Sequence, residues 1–392
     1  MNINRDPRWG RNQETVSEDP YLNGAYAAAL VRSVQGDDPR FLQAAFTCKH
    51  FTAYSVETDR MNTSNAVVSD RDLAETFLPA FKACVIAGSQ QLMCSYNAIT
   101  SPGLDATGAC FRGDLIDGLL REQWGWNGSM IGDCDAVANQ VFRYPSNETC
   151  VAAAIEAGTD QNCGSFYGEF GMAAFEQGLV TTERLTTALA RILLMRFRLG
   201  EFDPPSGQRY LRIPPGTSNS SASADSALRA ARESVVLLSN SAKTLPLDVS
   251  GEEKLKVALI GPFSELTSEL MGQKTDYTPY TIVSFAEGLR ARAELTLTVE
   301  TGCAGVACPY DEANFTRAVA AAAAASATAG RLLRARATVG RLQATATARR
   351  RPTTGEARRL PTTAAARRRA TTGGARRRRR TTLLAARRRR RT

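Results

Sequence analysis

An aspartate at the end of an apolar run is the strongest chemical signal in this sequence. In the segment SMIGD, Met130 and Ile131 have the character of core residues, and Asp133 follows where a strand should leave the core. A carboxylate in that position can act as a nucleophile or as an electrostatic stabiliser. The alternative is that an aspartate here only caps the next helix, and Asp135 fits that role well. Asp133 is therefore the first candidate for a catalytic residue.

Two other apolar runs also end in polar side chains. Lys49 and His50 follow the run AAFTC, where a charged pair is out of place in a core, and Tyr96 follows the run QLMCS. Lysine and histidine can donate hydrogen bonds to a polar ligand, and a tyrosine hydroxyl can orient a carboxylate. A structural histidine and a half-buried tyrosine with a hydrated hydroxyl are the alternatives. These runs add three candidate binding residues.

The opening block NRDPRWGR, residues 4–11, concentrates three arginines, an aspartate and a tryptophan. Guanidinium groups bind vicinal hydroxyls or carboxylates, and an indole ring offers a flat apolar face to the C–H groups of a sugar. A network of arginine–aspartate ion pairs that only fixes a loop is the alternative. The block therefore suits a polar, ring-shaped ligand.

The elements that must position these side chains alternate between strands and helices up to about Gly200. Four runs are candidate strands: Ala44–Phe51, Gln90–Tyr96, Ser129–Asp133 and Thr159–Cys163. Four stretches are candidate helices: Asn23–Val34, Asp70–Ala87, Arg112–Gln123 and Thr182–Leu199. Such alternation with nearly continuous apolar strands favours an α/β fold, with a parallel sheet covered by helices. In a β/α barrel, the strand ends that carry the candidate residues face the active site.

A second α/β pattern follows residues 201–225, which are rich in Pro, Ser and Gly and indicate a linker. The helix-like stretch Ser226–Ser234 leads into the apolar run Val235–Leu238, and Leu255–Gly261 is a candidate buried strand. From about Ala318 the sequence changes to Ala, Arg, Thr and Gly. The pattern therefore predicts a second unit that stops early.

The net charge is divided sharply between the two parts of the chain. The formal charge is +10, but residues 331–392 hold 22 arginines and one acid, whereas the first 330 residues carry a net charge of −11. The basic tail has too few large apolar side chains for a core, so we expect disorder. Its arginine runs could bind nucleic acid, but it has no aromatic residue to stack on bases. We favour a translation artefact, such as a frameshift or a misplaced exon end in GC-rich DNA, over nucleic acid as a partner.

Several classes of function are excluded by the cysteines and by the lone histidine. With His50 as the only histidine, no HExxH motif or other site with several histidines is possible, and none of the nine cysteines forms a C-x-x-C pair. We therefore expect no metal. No apolar run approaches the ~20 residues of a membrane span. A secretory route is favoured by a local disulfide expected between Cys303 and Cys308 and by five N-x-S/T sequons, although this chain begins without a signal peptide. The sequons are at Asn62, Asn127, Asn147, Asn219 and Asn314.

Taken in order, these motifs resemble those of glycoside hydrolase family 3. The matching blocks run from residue 2 to about residue 320: NRDPRWGRNQETVSEDP, CKHF, MCSYNAI, IGDCDAV, AGTDQNCG, RFRLGEFDP, ARESVVLLSN and VALIGPF. The Cys134–Asp135 pair and the later G-C-x-x-V-x-C stretch resemble the plant and fungal β-xylosidase branch. Some members of that branch also act on α-L-arabinofuranosides.

The resemblance implies a particular division of the chain into domains. Residues 1–200 would form a partial (β/α)8 TIM barrel without its early strands. Residues 201–225 would be a linker, and residues 226–325 the beginning of an α/β sandwich domain. Residues 331–392 would be a disordered Arg/Ala/Thr tail. On this view an N-terminal piece, including a signal peptide, is missing from the sequence.

The resemblance also implies an exo-acting, retaining hydrolase that releases xylose or arabinose from xylo-oligosaccharides or arabinoxylan. Asp133 would be the nucleophile. Arg11, Lys49 and His50 would hold the hydroxyls of the sugar, and Tyr96 would sit against the nucleophile. The family uses neither metal nor organic cofactor, and its plant and fungal members are expected outside the cell or in the cell wall.

One catalytic group of the family has no match in this sequence. The acid/base glutamate comes from the second domain, and the two glutamates near that point, Glu300 and Glu312, do not match its motif. A catalytically impaired fragment is therefore the first alternative. The second alternative is a nucleic-acid-binding arm in the basic tail.

Overall fold

The computed structural model describes residues 1–61, 64–241, 243–265, 282–303 and 311–325. The chain divides into two compact units, Met1–Ala224 and Asp225–Thr392. Each unit is described by itself. The basic tail predicted over residues 331–392 lies outside the described residues.

A parallel four-stranded sheet forms the centre of the first unit, in the order β1-β3-β6-β7. Its strands are β1 (Thr47–Phe51), β3 (Gln91–Cys94), β6 (Ser129–Gly132) and β7 (Gln161–Asn162). Each lies inside one of the four predicted runs, which confirms those strands. Thr47 pairs with Gln91, and Gln91 pairs with Ser129, so the first three strands begin in register. Their carboxyl ends therefore lie side by side.

Helices follow the strands as predicted, and two further helices appear. The helices of the first unit are α1 (Pro20–Gln35), α2 (Asp70–Asp72), α3 (Pro79–Ile86), α4 (Asn147–Glu156), α5 (Phe166–Glu176) and α6 (Thr182–Arg198), with π-helical segments at Leu73–Phe77 and Asp114–Gln123. A further helix, α7 (Ser221–Glu233), contains the boundary between the two units. Neither α4 nor α5 was predicted from the sequence. In α4, Ala and Cys supply much of the buried surface, so the helix has little apolar periodicity to detect. The helix α7 begins inside the predicted linker.

Local sequence explains where α1 begins and how closely it packs. Asp19 caps the helix by accepting a hydrogen bond from the backbone N–H of Tyr21, and Pro20 occupies its first position. Gly24 lies against α3, where an added Cβ would come within 3.3 Å of the Cβ of Ala83. The absence of a side chain at Gly24 allows these two helices to pack together.

A second, smaller sheet was missed by the sequence analysis. It contains β2 (Asn65–Val67), β4 (Ala98–Ser101) and β5 (Leu104–Gly108), with β4 and β5 antiparallel. The turn between them holds Gly103 at φ +79°, a conformation that glycine adopts without steric cost. These strands are short and, apart from β4, largely exposed, so they lack the apolar runs that reveal the central sheet.

Among the described residues of the first unit, three disulfides link distant parts of the chain. Cys48 of β1 pairs with Cys84 of α3, Cys94 of β3 with Cys110, and Cys134 with Cys163. The first two bridges are buried, whereas Cys134 is exposed. Cys150 is a free thiol in the core. The predicted bridge of Cys303 falls partly on Cys308, which lies outside the described residues.

The described part of the second unit contains one pair of parallel strands. They are β8 (Leu255–Ile260), inside the predicted strand, and β9 (Leu295–Glu300), accompanied by helices α8 (Phe285–Arg290) and α9 (Glu312–Ala324). The apolar run Val235–Leu238 is not in a strand, and its side chains are 60–92% exposed. In the described parts of both units, no helix has the length and apolar character needed to cross a membrane.

Candidate active site

The carboxyl ends of β1, β3 and β6 bring the predicted chemical residues together. His50 lies near the end of β1, Tyr96 follows β3 by two residues, and Asp133 follows β6 directly. The backbone N–H of Asp133 donates to the carbonyl of Cys94, so the ladder between β3 and β6 continues to the aspartate. The chain then turns sharply at Asp135, which has φ +64°. Asp133 is therefore held on the sheet at the edge where the strands end.

The carboxylate of Asp133 is buried but only half satisfied. Its Oδ1 accepts a hydrogen bond of 2.8 Å from the backbone N–H of Cys134. Its Oδ2 is buried and has no hydrogen-bond partner. The side chain is shielded from water, and this burial raises the pKa of Asp133 more than Cys134, Arg11 and Lys49 lower it. A buried carboxylate oxygen without a donor is rare in folded proteins and points to a chemical role.

His50 lies against this unpaired oxygen. Its Nε2 is 3.4 Å from Oδ2 of Asp133 and 2.9 Å from Nη2 of Arg11. Burial, followed by the charges of Arg11 and Lys49, lowers the pKa of His50 to about 2. The ring is therefore neutral at physiological pH and carries no positive charge that could compensate the carboxylate of Asp133.

Arg11, Lys49 and Glu14 form an ion-pair network beside the histidine. Arg11 donates two hydrogen bonds of 2.8 Å to the carboxylate of Glu14, and Nζ of Lys49 lies 3.2 Å from Oε2 of Glu14. Burial raises the pKa of Glu14, but these two cations outweigh it and bring that pKa to about 2. Glu14 is therefore ionised and fixes the positions of both cations.

The donors of Arg11 can be counted one by one. Of five N–H groups, two go to Glu14, one to Nε2 of His50, and one on Nη1 to the hydroxyl of Tyr54 at 3.3 Å. Within the described structure, one N–H on Nη1 is left for a ligand. Lys49 spends one of its three N–H groups on Glu14 and has a half-exposed side chain. Lys49 is thus the richer donor for a sugar hydroxyl.

Aromatic rings build the wall around the cluster. The ring of Tyr54 makes edge contacts with Trp9, His50 and Tyr96 at centroid distances of 5.7, 5.4 and 6.2 Å. Burial and the charge of Asp133 raise the pKa of Tyr96. The hydroxyl of Tyr96 in turn lowers the pKa of Asp133, although no well-formed hydrogen bond reaches Oδ2. Tyr96 is therefore a neutral donor beside the carboxylate.

All five residues predicted from the sequence belong to this one cluster, and three others were missed. Arg11, Lys49, His50, Tyr96 and Asp133 are joined by the contacts described above. The missed residues are Asn2, Glu14 and Tyr54, which hold the predicted residues in place. Glu14 lies three positions after Arg11, and this i, i+3 spacing was a usable signal for the ion pair.

The charges of the cluster balance each other. Arg11 and Lys49 supply two basic groups, Glu14 and Asp133 supply two carboxyl groups, and the ring of His50 is uncharged. Such a surface offers hydrogen-bond donors without net charge, so it suits a neutral, hydroxyl-rich ligand next to a carboxylate. A separate groove of about 470 Å³ lies beside Trp126 and α6, ahead of the start of β6, and holds none of these residues.

Comparison of this chain with known proteins indicates the family to which it is related. Residues 1–195 match the N-terminal domain of glycosyl hydrolase family 3. The chain is 39% identical over 339 residues to β-D-xylosidase 3 of Arabidopsis thaliana. It is 37% identical over 338 residues to β-xylosidase/α-L-arabinofuranosidase 2 of Medicago sativa subsp. varia. Each alignment covers 83% of this chain and 42% of the relative, so the chain spans about two fifths of the length of these proteins.

Solved structures show the same likeness. A family 3 exo-β-xylosidase in complex with a xylobiose aziridine activity-based probe superposes with a TM-score of 0.73 at 30% identity, covering 83% of this chain and 42% of that one. A β-glucosidase from Listeria innocua in complex with glucose gives a TM-score of 0.67 at 26% identity, covering 83% of this chain and 44% of that one. The N-terminal domain of the family is a TIM-barrel-like α/β fold. The chain therefore belongs to glycoside hydrolase family 3, with that N-terminal domain in residues 1–195.

Proposed function

We propose that this protein is an exo-acting, retaining glycoside hydrolase of the β-xylosidase type, with Asp133 as its nucleophile. The observation that carries the proposal is the buried, unpaired Oδ2 of Asp133, next to cations that Glu14 holds in place. Within this proposal, residues 1–200 are part of a (β/α)8 barrel, and residues 226–325 begin an α/β sandwich.

The proposed chemistry begins with attack by Oδ2 on the anomeric carbon of a terminal sugar. The new C–O bond forms as the bond to the leaving oxygen breaks, which gives a covalent glycosyl-enzyme. The backbone N–H of Cys134 holds Oδ1 throughout, so the carboxylate cannot rotate freely. Water then hydrolyses the ester, and the two inversions together retain the configuration of the anomeric carbon.

The sugar-binding side of the proposal rests on the donors that remain free. Lys49 and the last N–H of Arg11 would bind hydroxyls of a terminal xylose, and Tyr96 would approach it from the nucleophile side. The names of the relatives support xylosides first and α-L-arabinofuranosides second. We propose xylo-oligosaccharides or arabinoxylan as the natural substrates. The three disulfides support a location outside the cell, because such bridges persist in oxidising compartments.

The general acid would come from outside the described cluster. Glu14 of the cluster is occupied by two cations. Glu57, which adjoins the cluster through Trp9, is occupied by hydrogen bonds from Trp9 and Arg60. Acid assistance is worth about 10²–10⁴-fold in rate. If no such acid reaches the site, the chain should prefer aryl xylosides with good leaving groups over xylobiose, since such groups need little protonation.

Covalent labelling tests the proposal directly. The protein is incubated with an activated 2-deoxy-2-fluoro-xyloside and digested, and the labelled peptide is sequenced by mass spectrometry. We expect one label, on Asp133, and none in the variant Asp133→Asn. The matched control is Asp135→Asn, which makes the same change two residues away and should still be labelled. Labelling of any other residue would overturn the assignment.

A further inference from the structure

The orientation of the Asn2 amide is fixed by the backbone of His50. Nδ2 of Asn2 donates to the carbonyl of His50 at 2.8 Å, and Oδ1 accepts from the backbone N–H of His50 at 3.0 Å. Rotating the amide by half a turn would set oxygen against oxygen and N–H against N–H. The side chain is 3% exposed, so no water can compensate for such a mismatch. Oδ1 is therefore the atom that faces the imidazole ring.

This orientation decides which ring nitrogen carries the proton. Oδ1 of Asn2 also lies 2.9 Å from Nδ1 of His50. An amide oxygen is only an acceptor, so Nδ1 must be the donor and must hold the proton. A neutral ring then has a bare Nε2, whose lone pair receives the N–H of Arg11 Nη2 at 2.9 Å.

We propose that Asn2 is a positioning residue that fixes the tautomer of His50, so that the ring offers no hydrogen-bond donor to Oδ2 of Asp133. With the opposite tautomer, Nε2, which lies 3.4 Å from that oxygen, would change from an acceptor for Arg11 into a donor beside Asp133. The importance of a free Oδ2 rests on the proposed function. The tautomer does not, and it can be measured whether or not the protein hydrolyses glycosides.

The charged and titratable groups around His50 are consistent with a neutral ring. Arg11 and Lys49 face it from the opening block and from β1, and Glu14 from the short 3-10 helix Asn12–Glu14. The N-terminal amino group of Met1, which donates to the carbonyl of Lys49, also lowers the pKa of His50. The phenol of Tyr54 packs edge-on against it, and Asp133 lies across from Nε2. The nearest cation donates into the only free lone pair, so protonation of Nε2 would displace Arg11.

The single histidine makes the proposal accessible to NMR. In protein labelled with ¹⁵N only in histidine, His50 is the sole source of imidazole signals, since the chain contains one histidine. Long-range ¹H–¹⁵N correlations distinguish a protonated ring nitrogen from a bare one. We expect protonated Nδ1 and bare Nε2 between about pH 5 and pH 8. A protonated Nε2 in that range, in either the neutral or the charged ring, would overturn the proposal.

A matched pair of variants tests the role of Asn2 itself. Asn2→Asp keeps the shape of the side chain but places a carboxylate against Nδ1, which favours the doubly protonated ring. We expect protonated Nε2 at a pH where the wild type has none, and labelling of Asp133 slowed by ~10- to 100-fold, the cost of misplacing a reacting group. Asn65→Asp, an exposed and distant copy of the change, should alter neither reading. A wild-type tautomer and labelling rate in Asn2→Asp would refute the role.

Discussion

Two buried aspartates in the first unit, Asp133 and Asp160, have the same side chain and opposite surroundings. Each residue is 8% exposed, and burial raises the pKa of each. Asp133 follows the carboxyl end of β6, whereas Asp160 holds the backbone N–H of Met130 near its amino end. The two carboxylates therefore bracket one short strand.

Asp160 is satisfied on every side. Its Oδ2 accepts from Nη2 of Arg121 at 2.7 Å and from the backbone N–H of Met130 at 2.8 Å, and its Oδ1 accepts from Nη1 of Arg191 at 2.9 Å. Asp133 has one backbone donor and an empty Oδ2. Burial alone therefore does not distinguish a structural carboxylate from a reactive one. The distinction lies in the number of donors that the fold supplies.

The largest effect is expected from a substitution of Asp133, and it should fall on the chemical step. Asp133→Asn should lower the turnover of an aryl xyloside by ~10⁴-fold, the scale on which loss of a covalent nucleophile is felt. The free energy of unfolding should not fall, because the replaced carboxylate was poorly paired. The two measurements are steady-state kinetics and urea denaturation. Loss of stability without loss of turnover would reverse the roles we assign.

The matching change at Asp160 should act on stability. Asp160→Asn removes the carboxylate that the two arginines share, which leaves Arg121 with Asp117 alone and Arg191 without an ion pair among the described residues, and breaking a buried pair from one side costs about 3–5 kcal/mol. Urea denaturation followed by circular dichroism measures this loss. Under conditions where the variant is folded, the 2-fluoro-xyloside should still label Asp133. A variant as stable as the wild type would show that Asp160 is not the structural partner.

A smaller effect is expected at Glu14, which supports the reactive carboxylate only indirectly. Glu14→Gln keeps the shape of the side chain but frees Arg11 and Lys49 to move, so the sugar should bind less tightly. We expect the KM for an aryl xyloside to rise by about tenfold while kcat changes less, as for an interaction made equally in the ground and transition states. Glu18→Gln, a nearby exposed change, serves as the control. A fall in kcat at constant KM would contradict this role.

The smallest effect concerns the pH dependence of stability. Because the pKa of Asp133 is raised in the folded state, the folded protein binds a proton there more tightly than the unfolded chain does. Its ionised carboxylate therefore lowers stability at neutral pH, and this penalty disappears as the pH falls below the ordinary value of 3.8. Asp133→Asn should thus be more stable than the wild type at pH 7, and the difference should vanish near pH 3. A difference that grows towards low pH would contradict the raised pKa.

The sequence predicts the carboxyl end of β6, where Asp133 lies, but not the role of Asp160 at its amino end. Strands β1, β3 and β6 were predicted because largely apolar, mostly buried residues lead into or fill them, and polar residues at their ends revealed Lys49, His50, Tyr96 and Asp133. Strand β7 was also predicted, although both of its residues are polar and half-buried. The strands of the smaller sheet, β2, β4 and β5, were not predicted, since all three are short and two of them, β2 and β5, are largely exposed. A sequence thus reveals a site best where a buried element ends abruptly.

The supporting residues could not be predicted for a different reason. Asn2 meets His50 across 48 positions of chain, and Asp160 meets Arg121 across 39. Neither aspartate nor asparagine carries a local signal for such a partner, because the contact exists only after the sheet has formed. The number of donors to each carboxylate is likewise a property of packing. The types of the reactive residues were readable in the sequence, whereas their protonation and pairing were not.

The three disulfides carry a consequence for how this chain is made. Their loops, 48–84, 94–110 and 134–163, follow one another without overlapping, so a growing chain can close each one before the next begins. Only the third loop contains a competitor, because Cys150 emerges from the ribosome before Cys163. Burial of Cys150 in α4 raises the pKa of its thiol to about 12, which removes the reactive thiolate. In the folded protein, burial of Cys150 therefore keeps the one spare thiol of this loop from exchanging with the bridge beside Asp133.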